Sequence, residues 1–309
     1  MTTKKVLLTG ASGFIGRHCV RPLQARGYEV HAVSRSAPAG DDSGAVWHSA
    51  DLLQPGAASA LLATVQPTHL LHLAWFVVPG KLITAPENFD WVRASFELVR
   101  AFADAGGKRL AVCGSGYEYD WNYGYCTEGL TPAVPDTVYG ACKHALHEMT
   151  RTFAATRELS LAWPRVFFLY GPHEHPQRLV SSVILSLLKD APARCSHGRQ
   201  VRDYLHAQDV ADGLVTVLDS DLTGPVNVTS GQASTLREIV LTVGRLIGRP
   251  DLIQLGALPA RANDLPLVVG SNERLTALGW KQQFDLEAGL AQTIEWWRAA
   301  ARKESSSRE

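Results

Sequence analysis

The apolar run Val6–Leu8, closed by Gly10, Gly13 and Gly16, sets the pattern for the first half of the chain. Consecutive apolar residues without polar alternation suit a strand buried on both faces, as in parallel sheets. A helical spacing follows through Cys19, Val20 and Leu23. The same order recurs. Strand-like stretches at Glu29–Val33, Trp47–Ala50, His69–Trp75 and Leu110–Cys113 alternate with helical ones. A helix carrying Tyr139 is predicted to run to about Thr156, with Leu161–Leu169 as the next strand. Such alternation predicts an α/β fold, a Rossmann-like doubly wound parallel sheet with helices on both faces. After Gly171-Pro172 the pattern loosens into loops and short amphipathic helices. Residues 201–218 and Val226–Val228 read as a return to the sheet. From about residue 231 a smaller C-terminal α/β lobe is expected, ending in an amphipathic helix over Leu286–Ala301 and a frayed polar tail. The predicted division is 1–170 plus about 201–230 for the main domain, and about 171–200 plus 231–309 for the lobe.

The glycines carry the first chemistry. Gly10 permits a tight strand-to-helix turn, Gly13 lets backbone approach a pyrophosphate, and Gly16 lets helix and strand pack closely. Ser12, Phe14 and Ile15 fill the spacing G-x-x-G-x-x-G, and the helix N-terminus then faces the phosphates. This is a dinucleotide-binding turn in its required strand–turn–helix setting. The second strand ends in Ser34-Arg35, where an NAD site ordinarily carries an acid for the ribose 2′-hydroxyl. A hydroxyl beside a guanidinium suits a 2′-phosphate, so NADP(H) is preferred, with NAD(H) as the alternative. Arg17 offers further charge. Asp51, with Leu52 after it, reads as an adenine contact or, nearly as well, as a simple N-cap. At the end of the fourth strand Leu73, Ala74 and Trp75 are expected to flank the cofactor, small Ala74 letting it pass.

Tyr139 and Lys143 lie four apart, so a helix puts them on one face. An ammonium beside a phenol stabilises phenolate and lowers a pKa that is normally about 10. Near a nicotinamide such a phenol exchanges protons with a carbonyl or alcohol. The spacing alone is common; the glycine turn in the same chain gives it meaning.

Composition narrows the class. The 309 residues balance 30 basic against 30 acidic side chains, which gives no reason to expect nucleic acid or a membrane surface as partner. The five cysteines are scattered, odd in number and without C-x-x-C spacing, as in a reduced cytoplasmic protein. No signal-peptide pattern or long apolar span is evident. His173 and His175 make a poor zinc pair at their spacing, with no third ligand evident, so no metal is expected.

Taken in order, Thr9–Gly16, Ser115, Tyr139–Lys143, Pro164-Arg165, Tyr170-Gly171-Pro172, the stretch from Arg202 to His206, Asp209-Val210-Ala211 and Leu278-Gly279-Trp280 resemble the extended short-chain dehydrogenases/reductases. This is the nucleotide-sugar epimerase, dehydratase and reductase group, and the resemblance runs nearly end to end. It implies a cofactor domain, a lobe for a nucleotide-diphosphate sugar, and a homodimer through helices flanking the sheet. It makes Ser115, Tyr139 and Lys143 a catalytic triad, with Lys143 also on the nicotinamide ribose. Arg202 and Arg261 match diphosphate-binding arginines, and Arg178, Leu179 and Val180 match the segment over the nucleotide base. Asp203 and His206 read as supports for the Arg202 loop.

Departures from the family pattern sort its activities. The 4,6-dehydratases carry Thr-Asp-Glu where this chain has Ser115-Gly116-Tyr117, so the acid and base for dehydration are missing. The GDP-fucose synthases place a cysteine where Gly116 stands. The epimerases have Asn-Val-x-Gly-Thr in the helix after the fourth strand, where this chain has Trp91-Val92-Arg93-Ala94-Ser95. The segments around Ala74-Trp75, Glu118–Trp121 and Gly171–Pro176 most resemble reductases of NDP-4-keto-6-deoxyhexoses. The resemblance therefore implies NAD(P)H-dependent reduction at C4 of a deoxysugar. An NAD-dependent 4-epimerase is the alternative, and a non-catalytic NAD(P)-sensing regulator a third, disfavoured by the presence of both Tyr139 and Lys143.

Overall fold

The computed structural model describes residues 4–36, 43–260 and 264–306. Seven parallel strands form the main sheet: β1 (Lys4–Thr9), β2 (Tyr28–Ser34), β3 (Val46–Ser49), β4 (His69–His72), β5 (Arg109–Val112), β6 (Ser160–Val166) and β7 (Gly224–Val228). Their spatial order is β3-β2-β1-β4-β5-β6-β7. The chain winds outward from β1 to β3, then returns to β4 and winds the other way. Such a reversal opens a crevice beyond the carboxyl ends of β1 and β4, where doubly wound sheets take their ligands. Gly114–Ser115 continues beyond β5 and pairs with Arg165 and Val166 of β6.

Parity along each strand divides the core. Val6 and Leu8 face α1 (Gly16–Ala25) and α6 (Ala207–Leu218), while Leu7 faces α2 (Ala57–Val65), α3 (Glu87–Asp104) and α4 (Val138–Thr156). Every one of these side chains is fully buried, so each strand is apolar on both faces and reads as an unbroken run. A third apolar cluster joins α5 (Leu179–Leu188), α7 (Leu236–Ile247) and the C-terminal helix Leu286–Ser306.

The predicted return to the sheet over 201–218 is corrected in detail. Val201–Arg202 pairs with Ser234–Thr235 and with Leu267–Val268 in a separate small sheet. Tyr204–His206 pairs with Phe168–Tyr170, and residues 207–218 are helix α6. Only Gly224–Val228 rejoins the main sheet. Two strands of two and three residues and a helix N-terminus follow one another here too closely for periodicity to separate them. The strand predicted as Leu161–Leu169 is likewise split, Phe168–Tyr170 leaving the sheet for its own pair. The last helix runs past Ala301 to Ser306, where fraying was expected.

Asp203 holds the crossing between the sheet and these pieces. It is fully buried and accepts from the backbone and hydroxyl of Ser230 at 2.8 and 2.5 Å and from the Gly231 amide at 2.9 Å. His206 caps α6 by accepting from the Gln208 amide. Asp203 thus ties down the stretch next to Arg202, whereas His206 serves the start of α6 and not the Arg202 loop expected of it. Asp203→Ala removes the acceptor of the buried Ser230 amide and hydroxyl and of the Gly231 amide and is expected to cost about 2–4 kcal/mol of unfolding free energy, read as a lower urea midpoint at unchanged slope.

Candidate active site

The glycine turn sits at the mouth of the crevice. Gly10 takes φ +68°, and a Cβ there would lie 2.9 Å from the Ala74 amide nitrogen. Strand β4 therefore reaches the turn as closely as backbone can. Thr9 fixes this approach. Its hydroxyl accepts from the Leu73 and Ala74 amides at 3.2 Å each and meets His72 Nδ1 at 2.6 Å, while His72 Nε2 meets the Ser95 hydroxyl. Helix α1 opens at Gly16 with no side-chain cap at Ile15, and Gly13 is exposed. The residues thus fit a dinucleotide: first-turn amides without a side-chain acceptor, at a turn only glycine can make. Arg17, expected to add charge for phosphate, folds back instead. Its guanidinium donates to the Ser12 and Gly13 carbonyls at 2.6 and 3.2 Å and meets His173 Nδ1.

Ser34 and the exposed Arg35 lie at the end of β2. Ser34 Oγ donates to the Ser36 carbonyl, and Ser49 Oγ donates to the Arg35 carbonyl at 2.9 Å. These bonds shape the turn and leave the Arg35 guanidinium at the surface. Asp51 closes a turn by accepting from the Leu53 amide at 3.1 Å and caps no helix, the N-cap of α2 being Gly56. Leu52 is buried in the core beside it.

Ser115, Tyr139 and Lys143 come together at the carboxyl end of the sheet. Thr137 caps α4 by accepting from the Gly140 amide at 3.1 Å, which sets the helix's first turn against the strand ends. A Cβ at Gly140 would stand 2.2 Å from the Tyr117 carbonyl oxygen, so this glycine lets the turn after Ser115 close onto α4. The sequence reading passed over Gly140; its only signal is a small residue directly after the tyrosine. Tyr139 is 8 % exposed, and the Ser115 hydroxyl hydrogen-bonds its phenol. Lys143 donates to the Cys113 carbonyl at 2.7 Å and lies 3.7 Å from the centroid of the Trp75 ring. The Trp75 indole is itself fixed by donating to Asn88 Oδ1 at 2.7 Å.

The electrostatics correct one expectation. Burial pushes the Tyr139 phenol above its ordinary value, opposed by the Ser115 hydrogen bond, and Lys143 does not pull it below. Burial also pulls Lys143 itself down to about 8, against the raising effect of Cys113 and Glu118. Desolvation outweighs the pairwise attraction because both groups are sealed from water and the ammonium is turned to the Cys113 carbonyl and the indole face.

The expected nucleotide-binding residues separate. Arg202 is 4 % exposed, pairs with Asp264 at 2.5 Å and lies over the Phe168 ring. Arg261 lies outside the described residues. Arg178 is exposed at the start of α5 and Leu179 is half-buried, whereas Val180 is 1 % exposed inside the third apolar cluster. Helical spacing turns the Val180 side chain into that core and away from a base. In the His173–His175 loop, Glu174 is buried and accepts from the Ser181 hydroxyl at 2.7 Å, which makes this loop a packed element.

Glu118, His144 and His147, which no spacing in the sequence groups together, bring their ligand atoms within 4.8 Å of one another. A cation has no place there. The Glu118 carboxylate already accepts from Ser115, Trp163 and Arg165, and the guanidinium 3.0 Å away would repel a metal ion.

Residues 6–229 match the model of the NAD dependent epimerase/dehydratase family. The chain is 24 % identical over 307 residues to CDP-abequose synthase of Salmonella typhimurium, spanning 94 % of this chain and 97 % of that one. It is 26 % identical over 243 residues to dTDP-6-deoxy-L-talose 4-dehydrogenase (NAD(+)) of Aggregatibacter actinomycetemcomitans, spanning 76 % and 87 %. Its fold superposes on the UDP-glucose 4-epimerase of Thermus thermophilus, solved with NAD, with a TM-score of 0.86 at 27 % identity, covering 96 % of this chain and 99 % of that one. With the glycine turn and the Ser115–Tyr139–Lys143 cluster in place, the chain belongs to the NAD dependent epimerase/dehydratase family of extended short-chain dehydrogenases/reductases.

Proposed function

We propose that this protein reduces the C4 keto group of a nucleotide-linked 4-keto-6-deoxyhexose with NADPH. One observation carries the reading. Ser115, Tyr139 and Lys143 gather at the crevice, while the positions that would supply a dehydratase's acid and base hold Gly116 and Tyr117. The next carboxylate along, Glu118, is fully buried and tied to Arg165. Proton exchange at one oxygen is what remains. The raised phenol keeps Tyr139 protonated at neutral pH, as a donor to a carbonyl must be. Ser115 orients the substrate oxygen, and Lys143 holds positive charge one helical turn from Tyr139, against the Cys113 carbonyl and the Trp75 ring. NADPH, when bound, supplies the hydride. Arg35 at the end of β2, where an NAD site carries an acid, favours the 2′-phosphate.

An aromatic surface links the reacting centre to the proposed diphosphate anchor. Tyr117 lies 5.6 Å from the Tyr139 ring and 4.2 Å from Trp121, Trp121 lies 5.8 Å from Phe168, and Phe168 underlies Arg202. Ring faces suit the apolar side of a deoxyhexose. Arg202, Arg261 and, at the start of α5, Arg178 and Leu179 would hold the nucleotide, the first by exchanging Asp264 for phosphate. We assign the lobe formed by about 171–200 and 231–309 to the nucleotide sugar. The name of the 4-dehydrogenase above accords with redox chemistry at C4 of a 6-deoxyhexose, in that protein with NAD(+). Exposed Phe89 on α3 and Met149 on α4 support a homodimer through these helices, and free thiols support a cytoplasmic setting. Among the described residues no helix is long and apolar enough to cross a membrane.

The test is cofactor oxidation with dTDP- and GDP-linked 4-keto-6-deoxyhexoses, run with NADPH and NADH in parallel. Oxidation in proportion to added keto sugar is expected, faster with NADPH. Lys143 loses its proton above about pH 8, so kcat/KM is expected to fall on that alkaline side. The second reading, 4-epimerisation with NAD, rests on the same three side chains and the likeness to the Thermus epimerase. Interconversion of UDP-hexoses without net oxidation would replace the first reading by it.

A further inference from the structure

We propose that Glu118 is a positioning residue for the reducing centre. Its buried carboxylate fixes the backbone that carries Ser115 and holds a negative charge behind the Tyr139–Lys143 pair. The inference rests on Tyr139 as the proton donor. It adds a residue that touches neither substrate nor cofactor.

Glu118 is fully buried, and four donors surround it. One carboxylate oxygen accepts from the Ser115 amide at 2.8 Å and from the Trp163 indole at 2.9 Å. The other accepts from the Arg165 guanidinium, through Nε and a terminal nitrogen, both at 3.0 Å. Ser115 in turn accepts through Oγ from the Tyr117 amide, so the serine and the glutamate cap the same short turn reciprocally. A carboxylate so clamped fixes where the serine hydroxyl stands. Gly114 makes room for it, since a Cβ there would meet the Trp163 indole at 2.3 Å and the Glu118 carboxylate at 2.5 Å.

The charge acts in a dry setting, since Glu118, Tyr139 and Lys143 are all buried. Glu118 raises both the Tyr139 phenol and the Lys143 ammonium toward their protonated forms. The other titratable neighbours of Tyr139 are Cys113, at the end of β5, and Tyr117, both of which also favour the protonated phenol. Around Glu118 itself stand Arg165 from β6, Tyr119 from its own turn, and His147 and His144 from α4. His147 is pulled down to about 4 by burial and is neutral at working pH. Arg165 is therefore the cation that offsets Glu118, and it lies across the carboxylate from Ser115.

The experiment compares wild type, Glu118→Gln and the double variant E118Q/R165M, each saturated with whichever oxidised dinucleotide it binds. The double variant guards against misfolding, because it leaves no unpaired buried guanidinium. The tyrosinate absorbance that vanishes in Tyr139→Phe is titrated in each background. In Glu118→Gln the phenol is expected to ionise about one pH unit lower than in wild type, and the alkaline limb of turnover, which Lys143 sets, to move to lower pH as well; in the double variant, which also loses the offsetting guanidinium, both shifts keep their direction and are smaller. The kcat for the keto sugar is expected to fall about tenfold with KM changed less than about threefold. A phenol that titrates as in wild type, with turnover lost only in proportion to folded protein, would overturn the proposal. Should wild type turn over no keto sugar at all, the reductase reading fails, and the titration still decides the role of Glu118.

Discussion

Tyr139→Phe is expected to lower turnover of the keto sugar by about 10²- to 10⁴-fold while leaving dinucleotide affinity within a few fold. The ring is held independently of its hydroxyl. It packs in the core of the α4 face of the sheet, against Trp75 at 6.4 Å and Tyr117 at 5.6 Å. Phenylalanine keeps those contacts, so fold and cofactor site should survive. What it removes is the proton donor and the hydrogen bond with Ser115. Stopped-flow reduction and a binding titration on the same preparation separate the two effects. A variant that keeps more than a tenth of wild-type turnover would remove Tyr139 from the chemistry.

Gly16→Ala is expected to abolish cofactor binding and destabilise the fold together, for a reason unlike that of any surface change. A Cβ at position 16 would stand 2.1 Å from the Gly10 carbonyl oxygen and 2.8 Å from the Ala11 Cα. Both obstacles are backbone, so no rotamer change relieves them. The turn must open, and with it goes the contact of Gly10 with Ala74 that brings β1 and β4 together. A loss of about 3 kcal/mol or more is expected, above the usual range for an added methyl group. Thermal unfolding with and without added dinucleotide reads it: the midpoint falls, and the ligand-induced rise disappears. Gly13→Ala is the internal control. The Cβ there would meet only the Gly10 carbonyl region, at 3.0 Å, so the fold should persist while affinity falls.

The parallel sheet and the glycine turn were readable because each depends on neighbours in sequence. Val6–Leu8 is apolar on both faces since both faces are covered, and the turn residues are adjacent in the chain. The pairing of Tyr139 with Lys143 is likewise a property of one helix. The family order of motifs supplied Ser115, and the structure brings it to the phenol. The chain from 201 to 218 was misread because three short elements there belong to different sheets and a helix, and each is chosen by a distant partner. Val180 was read as facing a ligand, although only the packing of α5 against α7 decides which way it turns.

Sequence alone determined the fold class, the glycine turn and the tyrosine–lysine face, because periodicity and turn chemistry are local. Only the tertiary structure decided the protonation of that face. It set Lys143 against the Cys113 carbonyl and the Trp75 ring, raised the phenol by burial, and clamped Glu118 between Ser115 and Arg165. Charge states depend on how far water is excluded and on which groups meet across the sheet, and neither is written in the spacing of residues.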